Sequence, residues 1–120
     1  MRRFLIVDDE AGIRNSLAAY MEDEGLEVHT AESSEEALAI MTRLPIDGAV
    51  VDIRLPGMDG NAFMCRAVDL NPDIRLVIHT GSADYSPPPA VRALGISSRQ
   101  VYIKPIADLS ALIQELNRPR

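Results

Sequence analysis

Tryptophan is absent from this 120-residue chain, aromatic residues make up 4% of it, and it has a single cysteine. That cysteine, Cys65, can form neither an internal disulfide nor a structural zinc site, which fits a reducing compartment and leads to an expected cytoplasmic location. Long apolar runs are missing too. No stretch approaches the roughly 20 residues that cross a bilayer, and Phe4–Val7 passes straight into Asp8 and Asp9 without the apolar segment of a secretory leader. No membrane association is expected. Positive charge is scarce: 18 acids against 12 bases give a net charge of −6 and a pI near 4.8. Nucleic-acid phosphates are bound by clustered bases, so no direct nucleic-acid contact is expected. Among the 12 bases Lys104 is the only lysine, and it sits in the apolar stretch Val101-Tyr102-Ile103-Lys104-Pro105.

What is present is a 47% hydrophobic content, enough for one domain, expected to span 1–120, to bury a core. Short apolar runs alternate with segments of helical period, and the alternation repeats five times. Strands are expected at Phe4–Val7, Glu27–Thr30, Gly48–Val51, Arg75–His79 and Val101–Ile103. Between them, Ile13, Leu17 and Met21 share a helical face before Gly25, which reads as a C-cap. Ser33-Ser34-Glu35-Glu36 is a capping-box pattern opening a helix with Ala37, Leu38, Ile40, Met41 and Leu44, stopped by Pro45. A turn-rich loop, Arg54–Gly60, leads to a helix with Phe63, Met64, Ala67 and Val68. Pro87, Pro88 and Pro89 can only begin a helix, so a short one is expected over Pro89–Leu94, capped by Gly95. Leu109, Leu112, Ile113 and Leu116 mark the last. The fold class is α/β, a flavodoxin-like, doubly wound five-stranded parallel sheet in a single domain.

In such sheets the crevice lies outside the carboxyl ends of the strands, where this sequence places Asp8, Asp9, Asp52, Thr80 and Lys104. Each has a plainer account alone: first-turn acids favouring a helix dipole, a loop cap, a strand-end hydroxyl, a solvated charge. Their joint placement at four strand ends points to a site. Carboxylates about 4 to 5 Å apart repel by roughly 3 to 4 kcal/mol per pair at an effective dielectric of about 20. Against a domain stability of roughly 6 to 18 kcal/mol, that cost needs compensation, and a hard divalent cation with oxygen ligands supplies it.

The stretches Phe4-Leu5-Ile6-Val7-Asp8-Asp9-Glu10, Val50-Val51-Asp52-Ile53-Arg54-Leu55-Pro56-Gly57-Met58-Asp59-Gly60, Thr80-Gly81 and Lys104-Pro105 resemble the receiver domain of bacterial two-component response regulators, of the chemotaxis-regulator type, over essentially the whole length. The resemblance implies that Asp52 is the phosphoacceptor. It implies Mg2+ as cofactor, with Asp9 a direct ligand, Asp8 a ligand through water, and Asp52 and the backbone carbonyl of Arg54 further ligands. Thr80 and Lys104 would contact the phosphoryl group. The implied partners are a sensor histidine kinase or histidine phosphotransfer protein, and a second receiver as homodimer partner. The implied chemistry is phosphorylation and dephosphorylation of the chain itself, with no turnover of a separate substrate. Arg54 and Ser82, at the positions that tune hydrolysis in the family, lead to an expected slow loss of phosphate.

Several positions depart from the family. Val101 stands where an aromatic residue usually reports phosphorylation, and Tyr102 falls on the opposite face of the strand. The segment 95–104 is about two residues longer than the common pattern. His79 replaces an apolar residue and is expected to be buried and hydrogen-bonded. Cys65 and Met64 read as helix packing, Tyr85 as a loop residue. A start at Met1 favours an N-terminal placement in any longer protein, while 117–120 leaves continuation open. Other readings at this level are an adaptor that is never phosphorylated and a magnesium-dependent phosphatase of the haloacid dehalogenase type. The latter generally needs a carboxylate where this chain has Arg54, and a cap. A flavodoxin would need a phosphate-binding loop where Asp8-Asp9-Glu10 stands.

Overall fold

The computed structural model describes residues 2–106 and 108–118; Met1 and the last two residues of the stretch 117–120 lie outside them. Five strands, β1 (Arg3–Val7), β2 (Glu27–Ala31), β3 (Gly48–Val51), β4 (Arg75–Thr80) and β5 (Val101–Ile103), form one sheet in the order β2-β1-β3-β4-β5. All four pairings are parallel. The helices are α1 (Ala11–Asp23), α2 (Ser34–Arg43), α3 (Gly60–Leu70), α4 (Pro89–Arg92) and α5 (Leu109–Leu116).

The continuous apolar runs of the sequence divide by period two between two cores. Leu5, Val7, Ala49, Val51, Leu76 and Ile78 pack with Ala37 and Ile40 of α2, Phe63, Met64 and Ala67 of α3, and Val91 of α4. Phe4, Ile6, Val50 and Val77 pack with Leu17 and Met21 of α1 and Leu112 and Leu116 of α5. Central strands thus bury both faces. The strand order turns at β1, whose neighbours are β2 on one side and β3 on the other. The loops after β1 and β3 therefore diverge, and the crevice opens between them.

Local chemistry sets the element ends. At the end of α1, Leu26 N–H reaches Met21 O and Gly25 N–H reaches Glu22 O, a Schellman closure that needs the positive φ of +85° at Gly25. Ser33 Oγ accepts the Glu36 N–H at 3.1 Å to start α2, and Asp59 Oδ1 accepts the Ala62 N–H at 2.9 Å to start α3. Leu44 falls just outside α2, as its C-cap.

Several expected bounds are corrected, β1 starting at Arg3 and β2 ending at Ala31. The fourth helix ends at Arg92 instead of Leu94, because Leu94 and Gly95 make shorter-range bonds to Val91 O and Arg92 O and Gly95 turns with φ +90°. The extra length before β5 is taken up by a 3-10 turn over Ser98–Gln100, closed by a reciprocal cap between Ser97 and Gln100. β4 also runs one residue further, to Thr80.

The tightest packing joins α3 to the end of β3. A Cβ on Gly60 would stand 2.2 Å from the Asp52 carbonyl oxygen and 2.9 Å from Ile53 Cα, and neither backbone atom can swing aside. Gly60→Ala is therefore expected to destabilise the fold by roughly 1 to 3 kcal/mol, read as a lower urea midpoint. An unchanged midpoint would mean that α3 is free to shift.

Candidate functional site

The parallel sheet brings the ends of β1, β3, β4 and β5 to one edge, and the backbone ladder continues past the strands to fix the residues that follow. Asp8 N–H bonds Ala31 O at 3.1 Å, Asp52 N–H bonds Val7 O at 2.9 Å, and Lys104 N–H bonds Thr80 O at 2.8 Å. Arg14 of α1 donates to the Asp8 carbonyl at 2.8 Å, and Asp8 Oδ1 accepts the Glu10 N–H at 2.9 Å.

Lys104 ties these side chains together. Its Nζ lies 3.0 Å from Asp8 Oδ2, 3.3 Å from Asp52 Oδ2 and 3.4 Å from Glu10 Oε1. Asp8, Asp52 and Thr80 are buried, whereas Asp9 and Glu10 are exposed. Asp9, Glu10, Asp52, Arg54, Thr80, Gly81, Ser82 and Lys104 line a cavity of about 340 Å³. Burial pushes the Asp52 carboxyl up and the Asp8 charge adds to this, against the opposing pull of Lys104; the net shift is upward. Burial draws the Lys104 ammonium down, but the Asp8 hydrogen bond and the Asp52 charge outweigh it and hold the group above its ordinary range.

One ammonium does not neutralise the acids around it. Oxygen atoms from Asp8, Asp9, Glu10 and Asp52 all lie within 4.8 Å of one another. A hard, oxygen-only donor set with two buried carboxylates suits a divalent cation such as magnesium or calcium and does not suit a soft metal.

All six positions singled out in the sequence thus meet at one cavity edge: Asp8, Asp9, Asp52, Arg54, Thr80 and Lys104. Glu10 joins them as a fourth acid, signalled only by its place beside the aspartates. Arg14 escaped notice, and Ser34 and Glu35, read only as part of a capping pattern, clamp the loop after Asp52. Ser34 Oγ donates to Met58 O at 2.8 Å and Glu35 Oε2 accepts the Met58 N–H at 3.1 Å. Tyr85 is more than a loop residue: it packs on the α2–α3–α4 core and its hydroxyl donates to Asn61 Oδ1 at 2.6 Å. The departure at β5 holds in space. Val101 packs with that same core, while Tyr102 lies on the other face and its hydroxyl donates to Ala111 O at 3.4 Å.

A family model described as the response regulator receiver domain matches residues 4–117. The chain belongs to that family. It is a receiver domain of two-component response regulators. Among its relatives is a C4-dicarboxylate transport transcriptional regulatory protein of Rhizobium meliloti, 32% identical over 94% of this chain and 24% of the relative. Two other curated relatives are also much longer, the chain spanning 33% and 44% of them. Among solved structures, a response regulator protein from Burkholderia pseudomallei with a phosphorylated aspartic acid, calcium ion and citrate is 26% identical, with a TM-score of 0.85 over 98% of this chain and 67% of that one. A response regulator protein from Thermotoga maritima in complex with Mg(2+)-BeF is 28% identical, with a TM-score of 0.81 over 96% of each chain. Among the described residues of this receiver, no helix is long and apolar enough to cross a membrane.

His79 corrects an expectation. It is buried at 4% exposure, but neither ring nitrogen has a hydrogen-bond partner among the described residues. Burial pushes its imidazole below the ordinary value and the Lys104 charge adds to this, against Asp8 and Glu10. The folded receiver therefore refuses a proton that the unfolded chain accepts below about pH 6.5. Protonation of His79 therefore adds no cost at higher pH and destabilises the fold progressively as pH falls below that value. Asp52, shifted upward, acts with the opposite sign, so the difference between proteins isolates the imidazole. Between about pH 7.5 and about pH 5.5, wild type is expected to lose more melting temperature than His79→Leu. Parallel curves in a thermal-melt pH series would remove His79 from the acid response.

Proposed function

We propose that the receiver occupies the whole of residues 1–120 and takes a phosphoryl group onto Asp52. The observation that carries this reading is Lys104 held between Asp8 and Asp52 beside Thr80 in a cavity open to solvent. A buried acid there is accessible to a donor and faces a cation that can follow the charge as it moves.

Asp52 Oδ attacks phosphorus in line. The Oδ–P bond forms as the bond to the donor breaks, a P–N bond in a phosphohistidine or a P–O bond in an acyl phosphate, and the leaving group departs with that electron pair. Asp52 is a weak nucleophile, so the donor brings the activation. Lys104 is placed to hold the equatorial oxygens of the transferring group as its hold on the Asp52 oxygen slackens, and Thr80 to donate its hydroxyl. Asp8, Asp9, Asp52 and the Arg54 carbonyl would hold magnesium, which supplies the charge that offsets carboxylate repulsion and phosphoryl negative charge. Water reverses the modification. Arg54 and Ser82, the side chains at the cavity wall, are neither an acid nor an amide able to activate water, which favours slow hydrolysis.

The donor is a sensor histidine kinase or a histidine phosphotransfer protein in the cytoplasm, and the surface around α4 and β5 carries the signal onward. The domain serves as a phosphorylated switch rather than a catalyst acting on other molecules.

Acetyl phosphate is expected to add one phosphoryl mass to the wild-type chain with magnesium present and none with chelator or in Asp52→Asn, as seen by intact-mass spectrometry. Equal labelling of the variant would place the acceptor elsewhere. Magnesium is expected to raise the melting temperature by binding the folded state, and Asp9→Asn to lose most of that response. Lys104→Arg is expected to slow labelling at least several-fold, because a planar guanidinium cannot occupy the place of a compact ammonium among three acids. Unchanged kinetics would reduce Lys104 to a general positive charge.

A further inference from the structure

We propose that Tyr85 is a positioning residue for the Asp52 site: its hydroxyl latches the loop between β4 and α4 to α3 and holds that loop in the arrangement of the unphosphorylated chain. The proposal rests on the phosphoacceptor reading of Asp52.

A connected set of hydrogen bonds runs from the cavity to this latch. Thr80 Oγ1, beside Asp52, accepts the Ser82 N–H at 3.2 Å. Ser82 O accepts the Tyr85 N–H at 3.2 Å, so residues 82–85 form one turn. The Tyr85 hydroxyl then donates to Asn61 Oδ1 at 2.6 Å, at the short end of the ordinary range. Asn61 follows Gly60, which is packed directly against the Asp52 carbonyl. Its helix is therefore a fixed post, anchored at the same strand end as the acceptor.

The far end of the loop is held from α4, where Arg92 donates to Pro87 O at 3.1 Å, so Tyr85 is the tie at the end nearer the cavity. Pro87, Pro88 and Pro89 have no N–H to contribute, and α4 is four residues long. Tyr85 is the half-buried ring in this segment and packs on the same core as Val101, whose short side chain fills the β5 position on that face. Tyr102 is directed to α5 instead. When the Thr80 hydroxyl turns toward a phosphoryl group on Asp52, it leaves the Ser82 N–H. To keep that N–H paired the 82–85 turn must move with Thr80, but it is tied to Asn61. For the turn to follow Thr80, the Tyr85–Asn61 bond must lengthen and break. The latch therefore opposes the activated arrangement, and removing it lowers the cost of reaching that state.

The test uses the whole chain, with beryllofluoride and magnesium as the phosphoryl mimic, followed through the amide NMR signals of Gly81 and Ser82. Tyr85→Phe, which keeps the ring, and Asn61→Ala are each expected to tighten mimic binding about fivefold, the worth of one net hydrogen bond. The double variant is expected to bind no tighter than either single one, because both remove the same bond. Unchanged, weaker or additive affinities would overturn the latch. In the absence of mimic, Tyr85→Phe is expected to speed hydrogen exchange at the Ser82 and Tyr85 amides about fivefold. Unchanged exchange overturns the latch independently of the site. Failure of the phosphoacceptor reading looks different: wild type would show no magnesium-dependent mimic binding, or Asp52→Asn would bind as wild type does.

Discussion

Everything at the functional end of this receiver depends on how one ammonium is shared among acids that repel one another. Asp8 and Asp52 are buried carboxylates, and a buried charge without a partner is among the most costly features a fold can carry. Lys104 answers both, at 3.0 and 3.3 Å, and its third N–H turns toward the exposed Glu10. The compactness of the ammonium matters here. Three donors on one small atom can face three acids, two following β1 and one following β3, which a planar fork cannot do. The remaining negative charge keeps the site ready for a cation and for the transfer of charge onto Asp52.

The sheet makes this convergence possible. Because the strands are parallel, every carboxyl end faces the same way, and because the order turns at β1 the loops there part instead of closing over the acids. The same geometry explains how the site is connected to the surface. α3 is pressed onto the end of β3 at Gly60, the loop after Asp52 is gripped by Ser34 and Glu35 from α2, and the loop after Thr80 is tethered to α3 by Tyr85. The third lies at the edge of a short, proline-led helix, on the side where the receiver has Val101 in place of a ring.

Sequence reasoning located the strands and the acids at their ends, because strand period and strand-end position are local properties of the chain. It also placed Val101 and Tyr102 on opposite faces, which needs only alternation. It misjudged His79. A polar residue in an apolar strand implies burial, but whether a donor or acceptor faces it depends on neighbours from other elements, and here none among the described residues does. Sequence reasoning also missed the 3-10 turn before β5, which takes up the surplus length and is closed by Ser97 and Gln100.

The sequence by itself determined the alternation of strands and helices, the set of charged residues available at the strand ends and the motif that ties the chain to its family, since these follow from period, spacing and residue type. Only the tertiary structure decided which of those charges touch. That Lys104 divides itself among Asp8, Asp52 and Glu10, that Arg14 holds the Asp8 carbonyl and that Tyr85 reaches Asn61 all depend on side-chain directions across elements far apart in the chain. Those directions are fixed by strand order and helix packing, and no local pattern encodes them.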